Sequence, residues 1–316
     1  MDYYNVSVII PVYNGEKAIG NAITSVLKQN MEGIQIVIVN DGSTDKTEKI
    51  CKQLQPKNSN ILFLSQKNKG VSSARNLGLK NAKGKYVVFL DADDQLEENF
   101  CRVMFYQMEE KKADLAVCGF NNVFDNEKRQ WLPHSLKNQT NTEEIIEVLI
   151  QTGGINMLWN KMYVRKKIKQ KINVEENMGE DLEFIANYLD DVKKIVFVNK
   201  CLYNYTSDNL NSLTHVVDVS PKILLYEYRS ILHIALSASL NLEQFKDRLI
   251  FRSCDQFYDK SYSKFLKKWK KFRMLDGFSE LIKSYQASKK VYRIIAIFIK
   301  KNFPLPVFIL LKIKNS

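Results

Sequence analysis

Tyr86-Val87-Val88-Phe89-Leu90-Asp91-Ala92-Asp93-Asp94 is a bulky apolar run that stops on three carboxylates. A short β-rich run bounded by polar residues predicts a buried strand. Three carboxylates so close together repel one another unless a cation or solvent lies between them. They can form a solvated acidic turn that caps the next helix. They can equally hold Mg²⁺ or Mn²⁺, which prefer oxygen ligands and bridge to phosphates.

The same grammar repeats on the N-terminal side. Val6–Val12, Ile34–Val39 and Ile61–Leu64 predict further strands. Ile19, Ala22, Ile23, Val26 and Leu27 recur at helical spacing and predict a helix over about 16–29. A second helix, capped by Ser43, Thr44 or Asp45, runs to about Leu54, and others cover about 72–82 and 97–111. A strand over Asp114–Gly119 follows. Strands alternating with helices predict an α/β fold: a mostly parallel sheet sandwiched by helices, with ligands beyond the carboxyl ends of the strands. From Asn121 the alternation stops. Thr140 and Glu143 suggest a capping box for a helix over about 142–150, and Asp181–Ala186 begins another helix.

Polar clusters fall at each predicted strand end. Asn40-Asp41-Gly42-Ser43-Thr44-Asp45 can be a glycine turn and helix cap, yet Asp41 stands where a carboxylate could accept a pyrimidine imino N–H or a ribose hydroxyl. Arg75, in Asn68-Lys69-Gly70-Val71-Ser72-Ser73-Ala74-Arg75-Asn76, can be a surface arginine, reach a diphosphate, or pair with the aspartates. In Gly179-Glu180-Asp181 the acidic pair can complement a helix dipole or supply a general base.

Charge divides the chain. Residues 1–199 hold 26 Lys/Arg against 26 Asp/Glu; residues 200–316 hold 21 against 9, which accounts for the net +12. Five cysteines without a CxxC pair predict reduced thiols. The acidic Met1-Asp2-Tyr3-Tyr4 start lacks the basic region of a secretory signal, and no apolar stretch reaches spanning length. The expected location is therefore cytoplasmic.

Five motifs in order resemble those of the family 2 glycosyltransferases with the GT-A fold, a Rossmann-like α/β architecture. They are Val6-Ser7-Val8-Ile9-Ile10-Pro11-Val12-Tyr13-Asn14, Asn40–Asp45, Asn68-x-Gly70…Ala74-Arg75-Asn76, Phe89–Asp94 and Gly179–Asp181. Trp159-Asn160-Lys161-Met162-Tyr163 and Ser212-Leu213-Thr214 look like elements of bacterial members that build surface polysaccharides. The resemblance implies a catalytic domain over 1–215, with nucleotide-sugar binding over about 1–120 and the acceptor side over about 121–215. It implies that Pro11, Tyr13 and Asp41 hold the nucleotide base, usually uracil, and that Arg75 lies near the base and diphosphate. Asp91 would touch ribose or metal, Asp93 would ligate Mn²⁺ or Mg²⁺, and Asp181 would be the base of an inverting displacement. The segment near Asn204–Thr214 lacks the Arg often found there.

The remaining region, 216–316, is expected to be helical and basic. Phe265, Trp269 and Phe272 recur at helical spacing among Lys264, Lys267, Lys268, Lys270, Lys271 and Arg273, as in helices that lie in a membrane plane. Val291–Ile299 and Phe303–Leu311 are further short apolar blocks. The expected partners are thus a nucleotide-sugar donor, a glycan or lipid-linked acceptor, and the inner membrane face as a peripheral contact. A dehydrogenase or nucleotidyltransferase would need a Gly-rich loop after the first strand, where Pro11-Val12-Tyr13-Asn14-Gly15 has a single glycine. The rival of another class is a catalytically inactive membrane-associated or nucleic-acid-binding partner protein. Only the basic region favours it, and the carboxylates at the strand ends would repel nucleic acid.

Overall fold

The computed structural model describes residues 4–125, 127–175, 179–206, 221–240, 261–273, 298, 301 and 304–314. The chain divides into two compact units, Met1–His215 and Val216–Ser316.

The first unit is built on one nine-stranded sheet. Its N-terminal half runs β1 (Val6–Val12), α1 (Ile19–Leu27), β2 (Ile34–Asn40), α2 (Thr47–Leu54), β3 (Ile61–Ser65), α3 (Val71–Asn81) and β4 (Tyr86–Phe89). Then follow β5 (Gln95–Leu96), α4 (Phe100–Lys111), β6 (Leu115–Phe124), β7 (Glu127–Trp131), α5 (Thr142–Thr152), β8 (Lys161–Val164), α6 (Glu180–Leu189) and β9 (Ile195–Thr206). Strand order is β3-β2-β1-β4-β8-β6-β9-β5, with β7 paired to β6. β1–β4 are mutually parallel, and β6 and β9 run the same way. Only β5, β7 and β8 oppose them. The expected mostly parallel α/β sheet is present.

β1 and β2 are buried along their whole length, as central strands covered on both faces must be. Pro11 sits in β1 without cost. Val12 C=O accepts from Asp41 N–H on the β2 side, while Ile9 C=O accepts from Leu90 N–H on the β4 side. Alternation aims the Pro11 nitrogen toward β4, beyond the last paired residue, Phe89. The ladder therefore loses no bond. α3 lies close on β1 because Gly78 meets Ile9: a methyl on Gly78 would stand 2.4 Å from Ile9 Cγ2.

Several local expectations change. The fourth helix starts at Phe100 rather than about 97, because Gln95–Leu96 pairs with β9 and Glu97 N–H donates to Leu202 C=O. Helix α5 is capped by Asn141, whose side chain accepts from Glu144 N–H, one position on from the expected Thr140–Glu143 box. The alternation ends after Asn121 because β6 turns back as a hairpin with β7, while β8 inserts antiparallel between β4 and β6.

In the second unit the described helices are α7 (Pro221–Ser237), α8 (Tyr262–Arg273) and α9 (Pro304–Lys314). Phe265 and Trp269 are buried. Phe308 of α9 lies 5.3 Å from the Phe265 ring and 5.0 Å from that of Tyr262. The expectation that this stripe faces a membrane meets a correction at Phe265 and Trp269, which are turned inward and lie 5.8 Å apart. Among the described residues no helix is long and apolar enough to cross a membrane. Val291–Ile297, Ile299, Ser212–Thr214, Cys254 and the side chain of Phe272 lie outside the described residues.

Candidate active site

The loops at the carboxyl edge of β1 and β2 are stitched together by side chains. Asn14 N–H donates to Ser43 Oγ at 2.9 Å, and Gly15 N–H to Thr47 Oγ1 at 2.9 Å. Glu16 N–H donates to Asp45 Oδ2 at 3.0 Å, and Thr44 N–H to Asn14 Oδ1 at 2.8 Å. The cap position of α2 falls on Lys46 rather than on the expected Ser43, Thr44 or Asp45, and Asp45, just before it, accepts from Thr47 N–H at 3.0 Å. Its acidity reflects the contest. Burial would raise the carboxyl, but the Thr47 and Glu16 hydrogen bonds win and hold it below the usual range. The stitched edge leaves the Tyr13 ring half exposed beside buried Pro11.

Asp41 is almost fully buried. Its Oδ1 accepts from Gln66 Nε2 at 2.7 Å and Lys69 N–H at 2.9 Å, and its Oδ2 from Gly70 N–H at 2.8 Å. A carboxylate has about four lone-pair sites, so Asp41 orders the β3–α3 turn and keeps capacity for one further donor. The turn depends on glycine: Gly42 and Gly70 have φ of +72° and +86°.

Arg75 sits on α3 with 5% of its surface exposed. Nη2 donates to Asp91 Oδ1 at 3.0 Å, Nη1 donates to Asp181 Oδ1 at 2.8 Å, and Glu180 Oε1 lies 3.8 Å from Nη1. One guanidinium thus gathers the end of β4 and the start of α6. Burial works against its charge, but Asp181 and Asp91 outweigh that and keep Arg75 protonated. Its Nε is buried without a partner. For Asp181, burial pushes the carboxyl up to about 7 against the pull of Arg75, with Glu180 and Asp91 adding to the rise. Its side chain keeps 26% exposure, so the surrounding protein mass, not complete occlusion, causes the shift. Burial likewise raises Glu180.

The three carboxylates after β4 have different fates. Asp94 is buried, accepting Tyr203 O–H at 2.7 Å and Thr206 N–H at 2.8 Å. Burial, then the charges of Asp91 and Asp93, hold its carboxyl well above the usual range. Asp94 is therefore a strut between the β4 loop and the end of β9, leaving Asp91 and Asp93 as the candidate ligands. Among the described residues no three His, Cys, Asp or Glu side chains converge into a ready-made metal cage. Mg²⁺ that arrives with a substrate uses one or two carboxylates and completes its shell with phosphate and water oxygens.

Tyr203, Thr206 and Gln66 were not singled out from the sequence. Tyr203 lies in Ile195–Thr206, where no strand was expected, and nothing local points to a partner 109 residues away. Lys161, in the Trp159–Tyr163 motif, is fully buried. Its ammonium donates to the carbonyls of Gly154 at 2.8 Å and Met157, and to Asn160 Oδ1 at 3.0 Å. Burial pulls it down to about 7.

The family model for glycosyl transferase family 2 matches residues 7–171. The glycosyltransferase GlyA of Streptococcus pneumoniae serotype 4 is 32% identical over 210 residues, which are 63% of this chain and 30% of that protein. The minor teichoic acid biosynthesis protein GgaB of Bacillus subtilis is 34% identical over 207 residues, 64% of this chain and 23% of that protein. The matched region thus spans less than a third of either relative. Residues 1–349 of S. aureus TarS, solved in complex with UDP-GlcNAc, share the fold: TM-score 0.71, 22% identity, 96% of this chain and 89% of that one.

Removing Arg75 leaves Asp91, Glu180 and Asp181 facing one another. Arg75→Met is expected to destabilise the protein by about 3–5 kcal/mol at pH 8. The loss should shrink as pH falls, because the carboxylates, raised further without the cation, then protonate. Urea unfolding at several pH values measures it. A variant as stable as the parent at pH 8 overturns the electrostatic role.

Proposed function

This chain belongs to glycosyl transferase family 2, and we propose that it transfers a sugar from a UDP-sugar to a hydroxyl of a glycan or lipid-linked acceptor in cell-surface polysaccharide synthesis, with inversion. The main support is Arg75, which brings Asp91 and Asp181 onto one guanidinium at 3.0 and 2.8 Å. The proposal makes Asp91 the donor-side carboxylate and Asp181 the proton acceptor, held side by side on that guanidinium. The UDP-GlcNAc complex of TarS supports the donor class, and the name of GgaB supports the pathway.

In the proposed division of labour, about 1–120 bind the nucleotide-sugar, about 121–215 form the acceptor side, and 216–316 contact the membrane. Tyr13 offers an exposed ring to the base, with Pro11 shaping the floor and Asp41 offering its remaining acceptor site. Asp181 takes the proton of the acceptor hydroxyl. The freed oxygen bonds to the anomeric carbon from the face opposite the nucleotide, the bond from that carbon to the diphosphate oxygen breaks, and its electron pair leaves with UDP. A bound Mg²⁺ or Mn²⁺, held by Asp93 and Asp91, would neutralise charge on the leaving diphosphate. Arg75 keeps Asp181 oriented and prevents its affinity for a proton from rising further.

A base works best near the operating pH. Asp181 must be ionised to accept the proton, so turnover is expected to climb as pH passes through about 7 and then level off. Asp181→Asn should lower kcat by about 10²–10⁴-fold with donor KM little changed. A loss confined to donor binding would remove Asp181 from this role.

Asp93→Ala should abolish the stabilisation that UDP with Mn²⁺ gives to the folded protein, read as the shift in Tm, while the unliganded protein stays folded. Full turnover in EDTA contradicts the metal requirement.

For the membrane contact, Lys264, Lys267 and Lys270 are exposed along α8. With Trp269 packed inside, attraction to anionic lipid rests on charge, at about 1 kcal/mol per lysine. Reversing these three charges, or adding salt, should release the protein from phosphatidylserine vesicles in a flotation assay. Intact protein that ignores such vesicles at low salt removes the membrane from the proposal.

A further inference from the structure

β6 and β9 carry a second surface that donor chemistry does not use. They pair with Phe120 beside Tyr203, Asn121 beside Asn204 and Asn122 beside Tyr205. Side chains alternate between faces along a strand, and register neighbours share a face. One face ties itself off, with Asn121 Nδ2 donating to Asn204 Oδ1 at 2.8 Å. The other face is aromatic. Trp159 stacks on Tyr203 at 4.3 Å and on Tyr205 at 5.5 Å, the latter pair only 6° from parallel. Phe120 meets Trp159 edge-on at 4.9 Å and stacks on Trp131 at 5.2 Å.

The inner row of this platform is complete: Phe120, Trp159 and Tyr203 are buried, and the Tyr203 hydroxyl is hydrogen-bonded. The outer row is not. Tyr205 is only partly covered, and its hydroxyl makes no hydrogen bond among the described residues. Asn122 Oδ1, beside it, is closed from solvent without a partner. An acceptor left so costs about 1–3 kcal/mol; the Nδ2 end of the same amide is not closed in this way and can donate to a ligand oxygen.

The position is informative. Tyr203 O–H and Thr206 N–H both end on Asp94, which places Tyr205 against the Asp91–Asp94 loop. In the sheet, β4 and β8 separate this platform from β1 and β2, which carry Tyr13 and Asp41. A molecule on the platform would therefore meet the donor loop from the side away from the nucleotide. A pyranose has an apolar face of C–H groups that matches the electron-rich face of an aromatic ring, and a rim of hydroxyls that needs an amide or phenol partner. We infer that Tyr205 and Asn122, backed by Trp159, form an acceptor subsite for a neutral pyranose ring of the acceptor saccharide. This deepens the transferase assignment above and rests on it.

Methyl β-glycosides of glucose, galactose and N-acetylglucosamine test it by saturation-transfer NMR on the full chain, with and without UDP. Wild type is expected to saturate the ring C–H protons of at least one glycoside. Tyr205→Ala should weaken that binding by about tenfold, Asn122→Ala by a few-fold, and Tyr205→Trp should restore it. The Tm shift given by UDP with Mn²⁺ should be the same in all three variants, which also shows them folded. Binding that is unchanged in Tyr205→Ala, or wild type that binds none of the glycosides, overturns the subsite even if UDP binds. If UDP itself fails to shift the Tm of wild type, the donor assignment has failed, and the arm without UDP still decides whether Tyr205 holds a sugar.

Discussion

A buried guanidinium surrounded by three carboxylates organises the centre of the first unit. Arg75 loses its water on folding, and Asp91, Asp181 and Glu180 compensate for that loss. Each carboxylate alone would be costly to enclose. Together with one cation they become tolerable, and the site gains two chain segments, from β4 and α6, held at hydrogen-bond distance. Arg75 retains an unpaired Nε even so, an expense that structural packing alone does not demand.

Around that centre, backbone N–H groups do the remaining work. Asp41, Asp45 and Asn14 accept from neighbouring loops, so the carboxyl edge of β1–β3 is ordered before any ligand arrives. A surface ordered in advance avoids part of the ordering cost of binding. Asp94 performs the equivalent service on the other side, joining the β4 loop to Tyr203 and Thr206. Carboxylates of one short run therefore diverge: Asp94 is consumed by the scaffold, while Asp91 pairs with Arg75.

Aromatic side chains show the same division between packing and recognition. In the second unit Phe265 packs against both Trp269 and Phe308, and Lys264, Lys267 and Lys270 lie on the outside of α8. In the first unit Trp159 covers Tyr203 fully but Tyr205 only in part. Periodicity predicted the amphipathic stripe on α8, but an apolar stripe is equally suited to a lipid surface or to another helix. The packing of Phe265 on Phe308 of α9 shows part of the stripe meeting another helix.

Much of the fold was legible in the chain alone. Buried parallel strands must be continuous apolar runs and their helices amphipathic, so β1–β4 and α1–α3 announce themselves through local composition. The strand-end carboxylates and Arg75 were visible for the same reason: polar residues that interrupt apolar runs at regular places need an explanation. Long-range pairing carries no such local trace. The two-residue strand β5, the insertion of β8 between β4 and β6, and the hydrogen bond from Tyr203 to Asp94 depend on segments brought together from afar. The partner of Arg75 was equally open, since a guanidinium can satisfy a diphosphate or a carboxylate with the same fork. The tertiary structure brings Asp91 and Asp181 to that fork, because in low dielectric the cation is stable only beside the charges that oppose it.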